Sequence, residues 1–178
     1  MDKKIIRQAM IKQRLALNEE EYQSYSLKII ESLLTSSFFN KEKPLGIYMT
    51  IRHEVNTLYL IYNLLEMGVR IALPKIEQDS MRFYYIDSLD QLVLGTFGVM
   101  EPQSDYLAED LSTLIVPLVA FNEKKERIGY GKGYYDRYIE QYHPQTIGIA
   151  FEFQKQKFVG ETHDQPLDYI ITEKRIYE

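Results

Sequence analysis

The sequence contains no cysteine. This excludes disulfide bonds, thiolate metal sites and a cysteine nucleophile, and it is compatible with a reducing compartment. Long apolar runs are also missing: stretches such as residues 114–121 fall far below the roughly 18 residues that span a bilayer, so we expect no membrane crossing. There is no basic excess either, since the formal net charge is -5. This charge argues against a nucleic-acid backbone as the main partner.

What is present is ordinary for a soluble globular protein. The 178 residues are 45% hydrophobic and 26% charged, and residues 1–178 are expected to form one domain. The N-terminal segment lacks the apolar core of a secretory signal, and the cytoplasm is the expected compartment. Its basic, nearly acid-free composition also suits a mitochondrial presequence, which is kept as an alternative. Because no heptad seam is visible, a monomer is expected.

Hydrophobic periodicity predicts an α/β fold. Apolar spacings predict a first helix from Lys3 to Leu17, and a capping box at Asn18 starts a second that runs through Leu34. A third helix follows Asn56 or Thr57 and ends at Gly68. Strands are predicted at residues 45–50, 69–74, 81–86, 114–121, 146–151 and 167–172. Strands that alternate with helices indicate an α/β sandwich with a largely parallel sheet, which includes a βαβ unit around the third helix.

Three of the nine glycines stand on alternate positions in the stretch RIGYGKGYYDRY, residues 127–138. A buried strand runs into this loop and a helix follows it, so free backbone N–H groups and the positive end of the helix dipole suit an anion. Residues 124–137 carry five basic side chains and two acidic ones, a local charge of +3 in an acidic protein. The pattern favours an anionic ligand, with phosphate the obvious candidate.

Two alternatives stay open for this loop. Its glycine spacing matches neither the dinucleotide fingerprint nor a Walker loop, so a purely structural turn is one of them. Basic residues interleaved with tyrosines also suit single-stranded nucleic acid, whose bases stack on aromatic rings. Against the second alternative, Tyr135, Tyr138 and Tyr142 share one helix face, which is more typical of a core than of a stacking platform.

Charged residues elsewhere have plain interpretations. The spacing of Lys3, Arg7 and Arg14 places them on one side of the first helix, where a solvated face is the usual outcome. The stretch HEVNT does not complete a zinc-protease motif, because Thr57 stands where the second histidine is required. His53, His143 and His163 show no metal-ligand spacing.

Carboxylates at three places have a functional alternative. Glu54 follows a strand end, where it is suited either to the surface or to binding the N–H groups of a heterocycle. Asp164 and Asp168 precede the last strand and have the spacing of turn formers. Asp136 and Asp164 together would also suit Mg²⁺ beside a nucleotide.

Taken in order, several segments of the chain resemble a known family. They are KKIIR, KQRL, EVNT, ALPK, GVMEP, RIGYGKGYYDRY and HDQPLDYIIT. Over almost the whole chain the sequence resembles the 5-formyltetrahydrofolate cyclo-ligases, also called 5,10-methenyltetrahydrofolate synthetases. The resemblance implies an ATP-dependent, Mg²⁺-requiring closure of 5-formyltetrahydrofolate to 5,10-methenyltetrahydrofolate. It also implies a three-layer α/β/α sandwich related to the sugar-phosphate isomerase and CoA-transferase superfamily.

The resemblance also implies site residues. Lys132 and Arg7 would act in catalysis, and Asp136 and Asp164 would hold magnesium, with Asp164 chosen over Asp168 on the resemblance alone. The residues implied for ATP are Lys3, Lys4, Arg7, Arg127, Gly129, Tyr130, Gly131, Lys132, Gly133, Tyr134 and Tyr135. Those implied for the folate are Met49, Glu54, Tyr130, Lys132 and Tyr134.

The chemistry of the reaction agrees with such a set. A formamide is a poor electrophile with a bad leaving group, and phosphorylation of its oxygen removes both obstacles. Phosphoryl transfer needs positioning and positive charge more than a covalent catalyst, which a glycine loop, lysines, arginines and a metal supply. A sugar-phosphate isomerase of related fold is a third possibility, and it predicts turnover without nucleotide.

Overall fold

The computed structural model describes residues 2–161 and 164–178. Its helices are α1 (Lys3–Leu15), α2 (Glu19–Thr35), α3 (Leu58–Glu66) and α4 (Tyr134–Tyr142). Its strands are β1 (Leu45–Gly46), β2 (Ile71–Glu77), β3 (Ser80–Ile86), β4 (Leu92–Leu94), β5 (Met100–Pro102), β6 (Thr113–Pro117), β7 (Ala120–Phe121), β8 (Arg127–Ile128), β9 (Gln145–Ile149), β10 (Tyr169–Ile171) and β11 (Ile176–Tyr177).

Seven of these strands form one sheet in the order β11-β10-β9-β6-β1-β2-β3. The neighbours from β10 to β2 are parallel, whereas the edge strands β11 and β3 run antiparallel. The predicted βαβ unit is confirmed as β1-α3-β2. Because β3 returns along β2 through a tight turn, the sheet is mostly rather than wholly parallel.

Side chains alternate between the two faces of the sheet, and both faces are covered. Along β6, Ile115 belongs to the core cluster under α2 and α3, while Leu114 and Val116 belong to the cluster under α4. Strands buried on both faces read as continuous apolar runs, which explains the composition of residues 114–121. The helices and the sheet therefore form the three layers that the resemblance implied.

Helix α1 packs away from these two clusters, against a hairpin made of β7 and β8. Ile6 and Met10 of α1 form a third cluster with Val119 and Ile128 of the hairpin region. The hairpin leads directly into the glycine loop, so α1 packs against the segment that immediately precedes this loop.

The apolar run 114–121 was predicted as one strand, and this prediction is wrong in its length. Strand β6 ends at Pro117 and β7 begins at Ala120. Between them, the Leu118 and Val119 carbonyls accept hydrogen bonds of 2.9 and 2.8 Å from Nε2 of the buried Gln154. A side-chain amide thus supplies the hydrogen bonds that a neighbouring strand would otherwise make. The backbone can therefore leave the sheet here and form the β7–β8 hairpin.

The predicted helix starts are confirmed. The Asn18 side chain accepts from Glu21 N at 2.9 Å, which is one half of a capping box, whereas the Glu21 carboxylate accepts from the Asn18 side-chain amide at 2.9 Å and not from its backbone N–H. Helix α1 ends two residues before the predicted Leu17. Among the helices described, none combines the length and apolar character that a membrane span needs.

Candidate active site

The glycine loop occupies the carboxyl end of the parallel sheet, between β8 and α4. Gly131 and Gly133 have φ angles of +92° and +68°, a region that side chains other than glycine rarely adopt. Gly133 is also the N-cap of α4 and offers no side-chain cap to the first turn. The N–H groups at the start of α4 are therefore available to a ligand, as the anion hypothesis requires.

Cations of α1 lie beside this loop. Arg7 Nε donates to the Gly129 carbonyl at 2.7 Å, and its guanidinium lies 3.6 Å from the position that a Cβ on Gly131 would occupy. Lys3, one turn earlier, binds Asp164 at 2.7 Å and Glu161 at 3.1 Å. Lys4 is exposed on α1. Arg7 therefore lies directly beside the glycine loop, whereas the contacts of Lys3 are to Asp164 and Glu161.

Arg127 has a positioning role inside the loop. It is buried, and its guanidinium binds Asp136 at 2.7 Å and lies 5.8 Å above the ring of Tyr135. Because Asp136 and Tyr135 belong to the first turn of α4, this ion pair fixes the start of the helix against β8. Burial raises the pKa of Tyr135, and the nearby Glu54 charge raises it further.

Two of the side chains that the resemblance implied for both ATP and the folate, Lys132 and Tyr134, are at least partly accessible. Lys132 is exposed, with Nζ 6.0 Å from the ring centre of Phe97, whose own side chain is exposed in the β4–β5 connection. Tyr134 is half-buried below the guanidinium of Arg137, at 5.2 Å. The tyrosines Tyr135, Tyr138 and Tyr142 all pack in the α4 core cluster, which agrees with the core interpretation of that face.

Glu54 reaches the same region from the end of β1, through a strained turn. Arg52 and His53 have φ angles of 47° and 53°, and Glu54 N donates to the Ile51 carbonyl at 2.9 Å to close the turn. Neither residue is a glycine, so each costs on the order of 1–2 kcal/mol. His53 stacks on Tyr22 of α2 with ring centres 4.6 Å apart. The turn directs Glu54 into the interior.

Hydroxyl groups hold the connection that carries this turn. The Tyr48 hydroxyl donates to the Val55 carbonyl at 2.9 Å, and Thr57 N donates to the Thr50 hydroxyl at 2.8 Å. Thr57 also donates to the Tyr48 carbonyl at 2.8 Å. Met49, in the same connection, is buried in the core cluster under α2 and α3. The connection is therefore rigid at both ends of the turn.

Glu54 is joined to the glycine loop by a hydrogen-bond chain. The buried Glu54 carboxylate accepts from the Tyr130 hydroxyl at 3.0 Å, and the Tyr130 hydroxyl accepts from Arg14 Nη2 at 2.6 Å. Glu54 also accepts from Ile51 N at 3.0 Å. Burial raises the pKa of Glu54, and the charge of Arg14 opposes this shift. Burial also raises the pKa of Tyr130, to about 12.

The solvated-face interpretation of α1 is wrong for Arg14. This residue is fully buried, with an exposure of 0%. Sequence reasoning placed Arg14 on the face of Lys3 and Arg7 but missed its burial. The available signal was the spacing of four from Met10, because Ile6, Met10 and Arg14 follow one another along the buried side of α1.

The carboxylates implied for magnesium fit a metal that arrives with its nucleotide. Asp136 and Asp164 each bind a cation at 2.7 Å, Arg127 and Lys3 respectively. Within residues 2–161 and 164–178, no group of three or more His, Asp or Glu side chains forms a metal cluster. Mg²⁺ beside phosphates commonly uses one or two carboxylates and takes its other oxygens from phosphate and water, and this donor set matches that case.

Asp168 has a structural contact instead. Its carboxylate accepts from Thr146 N at 2.7 Å and from the Thr146 hydroxyl at 3.0 Å, at the amino end of β9. His143 ends α4 with a φ of 50°. His163 lies outside the described residues.

The functional groups cluster beyond the carboxyl ends of β1 and β6. This arrangement is that of the α/β proteins that bind ligands at this end of a parallel sheet. Comparison with known families makes the assignment specific. The sequence model of the 5-formyltetrahydrofolate cyclo-ligase family matches residues 1–173. The chain therefore belongs to this family and is an enzyme of it.

Individual relatives agree over nearly their whole length. The chain is 33% identical to the 5-formyltetrahydrofolate cyclo-ligase of Mycoplasma pneumoniae, covering 98% of this chain and 100% of the relative. It is 29% identical to the Escherichia coli cyclo-ligase, covering 95% and 100%.

Solved structures give the same result. The solution structure of 5,10-methenyltetrahydrofolate synthetase from Aquifex aeolicus has a TM-score of 0.89 at 34% identity, covering 99% of this chain and 92% of that one. The synthetase structure from Mycoplasma pneumoniae has a TM-score of 0.80 at 29% identity, covering 97% and 99%.

Proposed function

We propose that this enzyme converts 5-formyltetrahydrofolate to 5,10-methenyltetrahydrofolate with MgATP, and releases ADP and phosphate. Family membership supports the reaction. The observation that carries the proposal for this chain is the hydrogen bond between Tyr130 of the glycine loop and Glu54. It joins a backbone cradle suited to phosphates with a buried carboxylate suited to the N–H groups of a pterin, so two ligands would meet at Tyr130.

The residues divide the work by charge. The backbone N–H groups around Gly131 and Gly133 would bind the phosphates, and Arg7 and Lys3 would approach the same phosphates from α1. Lys132 is exposed, and its flexible stem would let the charge follow the transferred phosphoryl group to the formyl oxygen. Glu54 and Met49 would hold the pterin so that the N10 amine of the folate faces the activated formyl carbon. N10 then forms a bond to this carbon and loses its proton, the C–O bond breaks, and phosphate leaves with the former formyl oxygen, which closes the methenyl bridge.

Asp136 and Asp164 are the residues that would hold magnesium. When bound, the ion supplies positive charge that neutralises the phosphate oxygens. Each carboxylate is held next to a cation of the same site, so Arg127 and Lys3 would orient the two donors.

Coarser properties are proposed on the same basis. We infer that residues 1–178 act as one domain and as a monomer, since no heptad seam is visible in the sequence. A relationship to the sugar-phosphate isomerase and CoA-transferase superfamily is supported by the three layers around a mostly parallel sheet. A cytoplasmic location is proposed, and the lack of cysteine is compatible with such a reducing compartment.

The reaction is tested by mixing the protein with 5-formyltetrahydrofolate and MgATP and following the near-ultraviolet absorbance of the methenyl product. We expect product only when ATP is present. Lys132→Ala should fold normally and lose about 100-fold or more in turnover, because a charge contact of the transition state is removed. Lys124→Ala, which removes an exposed cation from the same basic stretch, is the matched control and should keep full activity.

Two results would count against the proposal. Equal turnover without nucleotide would favour the isomerase alternative. Near-normal activity of Lys132→Ala would remove Lys132 from the site and leave the glycine loop without its mobile charge.

A further inference from the structure

Arg14 is a buried cation without a role in the reaction as described so far. It is fully buried in α1, its Nη1 lies 3.5 Å from the Leu118 carbonyl and its Nη2 lies 2.6 Å from the Tyr130 hydroxyl. Its Nε is buried with no hydrogen-bond partner among the described residues. A buried charge is costly unless it is paired, so the position calls for a counter-charge.

The counter-charge is Glu54, reached through one hydroxyl group. A guanidinium can only donate and a carboxylate can only accept, so the single proton of the Tyr130 hydroxyl must point to Glu54. The chain therefore has one polarity, from Arg14 through Tyr130 to Glu54, with an N–O distance of 2.6 Å and an O–O distance of 3.0 Å. An ionised Glu54 fits this polarity, because a carboxylate accepts the hydroxyl proton and has no proton of its own to donate.

We propose that Arg14 and Tyr130 are positioning residues for the folate pocket: acting together, they hold the Glu54 carboxylate ionised and in one orientation. The inference rests on the proposed function, in which Glu54 binds the pterin. Two of the lone pairs of Glu54 are taken by Tyr130 and by Ile51 N. With these two fixed, the remaining lone pairs point in a defined direction and can accept the N–H groups of a flat heterocycle.

The other ionisable groups around Glu54 do not replace this chain. Arg52, on the same connection, lies 5.7 Å from the ring centre of Tyr130 and is exposed. The remaining ionisable neighbours of Glu54 are phenols. They are Tyr22 of α2, Tyr48 of the β1–α3 connection and Tyr135 of α4, and burial and the Glu54 charge both raise the pKa of each. These phenols are neutral near pH 7, and His53 stacks on Tyr22. Arg14 is thus the buried cation that faces Glu54 among the described residues.

The position of Tyr130 also ties this chain to the nucleotide loop. Tyr130 stands between Gly129, whose carbonyl Arg7 binds, and Gly131, which has a positive φ. A shift of this loop moves the tyrosine hydroxyl and with it the hydrogen bond to Glu54. The Glu54 carboxylate is therefore oriented for the folate only when the glycine loop has the conformation seen here.

The experiment compares Tyr130→Phe and Arg14→Met with the wild type in two measurements. The first follows the carboxyl carbon of Glu54 by NMR during a pH titration without ligands, with Glu54→Gln used to assign the signal. The second measures the KM for 5-formyltetrahydrofolate, the KM for ATP and the pH profile of kcat/KM. Lys12→Met removes an exposed cation from the same helix and is the control. Tyr130→Phe keeps the ring, so it stays informative if Arg14→Met does not fold.

We expect the Glu54 titration to move to higher pH in both variants, because the carboxylate loses the donor or the cation that favours its charged form. The acid limb of the kcat/KM profile should move the same way. The KM for 5-formyltetrahydrofolate should rise about tenfold and the KM for ATP less than twofold, as expected when a hydrogen bond to a charged group is lost. In a Glu54→Gln background, Tyr130→Phe should cost little more.

An unchanged titration of Glu54 together with an unchanged folate KM in Tyr130→Phe would overturn the inference while leaving the folate pocket in place. A purely structural role would lower stability and shift neither the titration nor the acid limb, which also overturns it. If Glu54→Gln itself binds folate as tightly as the wild type, the proposed pocket is wrong and the inference falls with it.

Discussion

At the scale of single residues, the site depends on backbone conformations as much as on side chains. Gly131 has a φ of +92°, and a Cβ there would meet the Arg7 guanidinium at an ordinary contact distance of 3.6 Å. Space is therefore sufficient at this position, and the requirement for glycine comes from the backbone. The turn at Arg52 and His53 shows the opposite choice, since side chains are accepted there despite their positive φ.

Gly131→Ala is predicted to lower the free energy of unfolding by about 1–2 kcal/mol, the cost of a left-handed conformation. We further expect MgATP affinity to fall at least about tenfold, since relief of this strain displaces the N–H donors of the loop. Chemical denaturation and calorimetric titration measure the two effects.

Gly68→Ala is the matched control for that variant. Gly68 ends α3 with a φ of +72°, and nothing lies within 4 Å of its added Cβ. It should lose similar stability and keep its nucleotide affinity. An equal loss of affinity in both variants would show that strain alone, rather than the loop, weakens binding.

At the scale of elements, α1 supports the site from outside the sheet. It carries Lys3 and Arg7 and is attached mainly through Ile6 and Met10 to the β7–β8 hairpin. Ile6 is 2% exposed and the adjacent Ile5 is 56% exposed. The same substitution at these two positions therefore shows whether an effect comes from lost packing of α1 or only from a change in its amino-acid composition.

Ile6→Ala is predicted to cost about 2–5 kcal/mol in the free energy of unfolding, and Ile5→Ala less than about 0.5 kcal/mol. Because α1 brings two cations to the loop, the KM for ATP should rise in Ile6→Ala and not in Ile5→Ala. Urea unfolding and steady-state kinetics measure both. A stable Ile6→Ala enzyme with unchanged KM would mean that α1 does not support the nucleotide site.

Glu152 clamps the last two strands to the turn after β9. It accepts from the Tyr177 hydroxyl at 2.7 Å and from the Thr172 hydroxyl at 2.6 Å. Burial acts to raise the pKa of Glu152, but these hydrogen bonds and the charge of Arg175 outweigh it and lower the pKa. A lowered pKa adds stability above the unfolded value of about 4.3, and this is lost as the pH falls through the folded value.

Glu152→Gln is accordingly predicted to lose about 1–3 kcal/mol of stability near neutral pH. The difference from the wild type should shrink as the pH falls below about 4, where the wild-type carboxyl is protonated too. Urea unfolding at several pH values measures this, with the exposed Glu31→Gln as control. A difference that stays constant with pH would show that the charge of Glu152 is not what stabilises the clamp.

The elements that the sequence predicted are those fixed by neighbours along the chain. The cap at Asn18, the glycine loop and the apolar strands all rest on local spacing. The burial of Arg14, the break after Pro117 and the use of Gln154 as a substitute strand partner could not be predicted. Each depends on contacts across more than 30 residues, with separations of 116 for Arg14–Tyr130 and 36 for Gln154–Leu118.

At the scale of the whole molecule, ligand binding and folding are linked. A ligand that binds only the folded state stabilises it by about 2.7 kcal/mol at a concentration of one hundred times its Kd. For a protein of this size, MgATP at that level is predicted to raise Tm by about 5–10 °C. Thermal scans with MgATP, with Mg²⁺ alone and with neither measure the shift. An unchanged Tm at saturating MgATP would contradict nucleotide binding.

The attachment of α1 also has a consequence for biosynthesis. Lys3 binds Asp164, 161 residues further along the chain, and Arg7 binds the Gly129 carbonyl, 122 residues further along. A ribosome therefore releases the first helix long before its docking surface has been translated. Until then Ile6, Met10 and Arg14 of this helix have no surface to pack against, so α1 completes its contacts only after the segment around Asp164 has been synthesised.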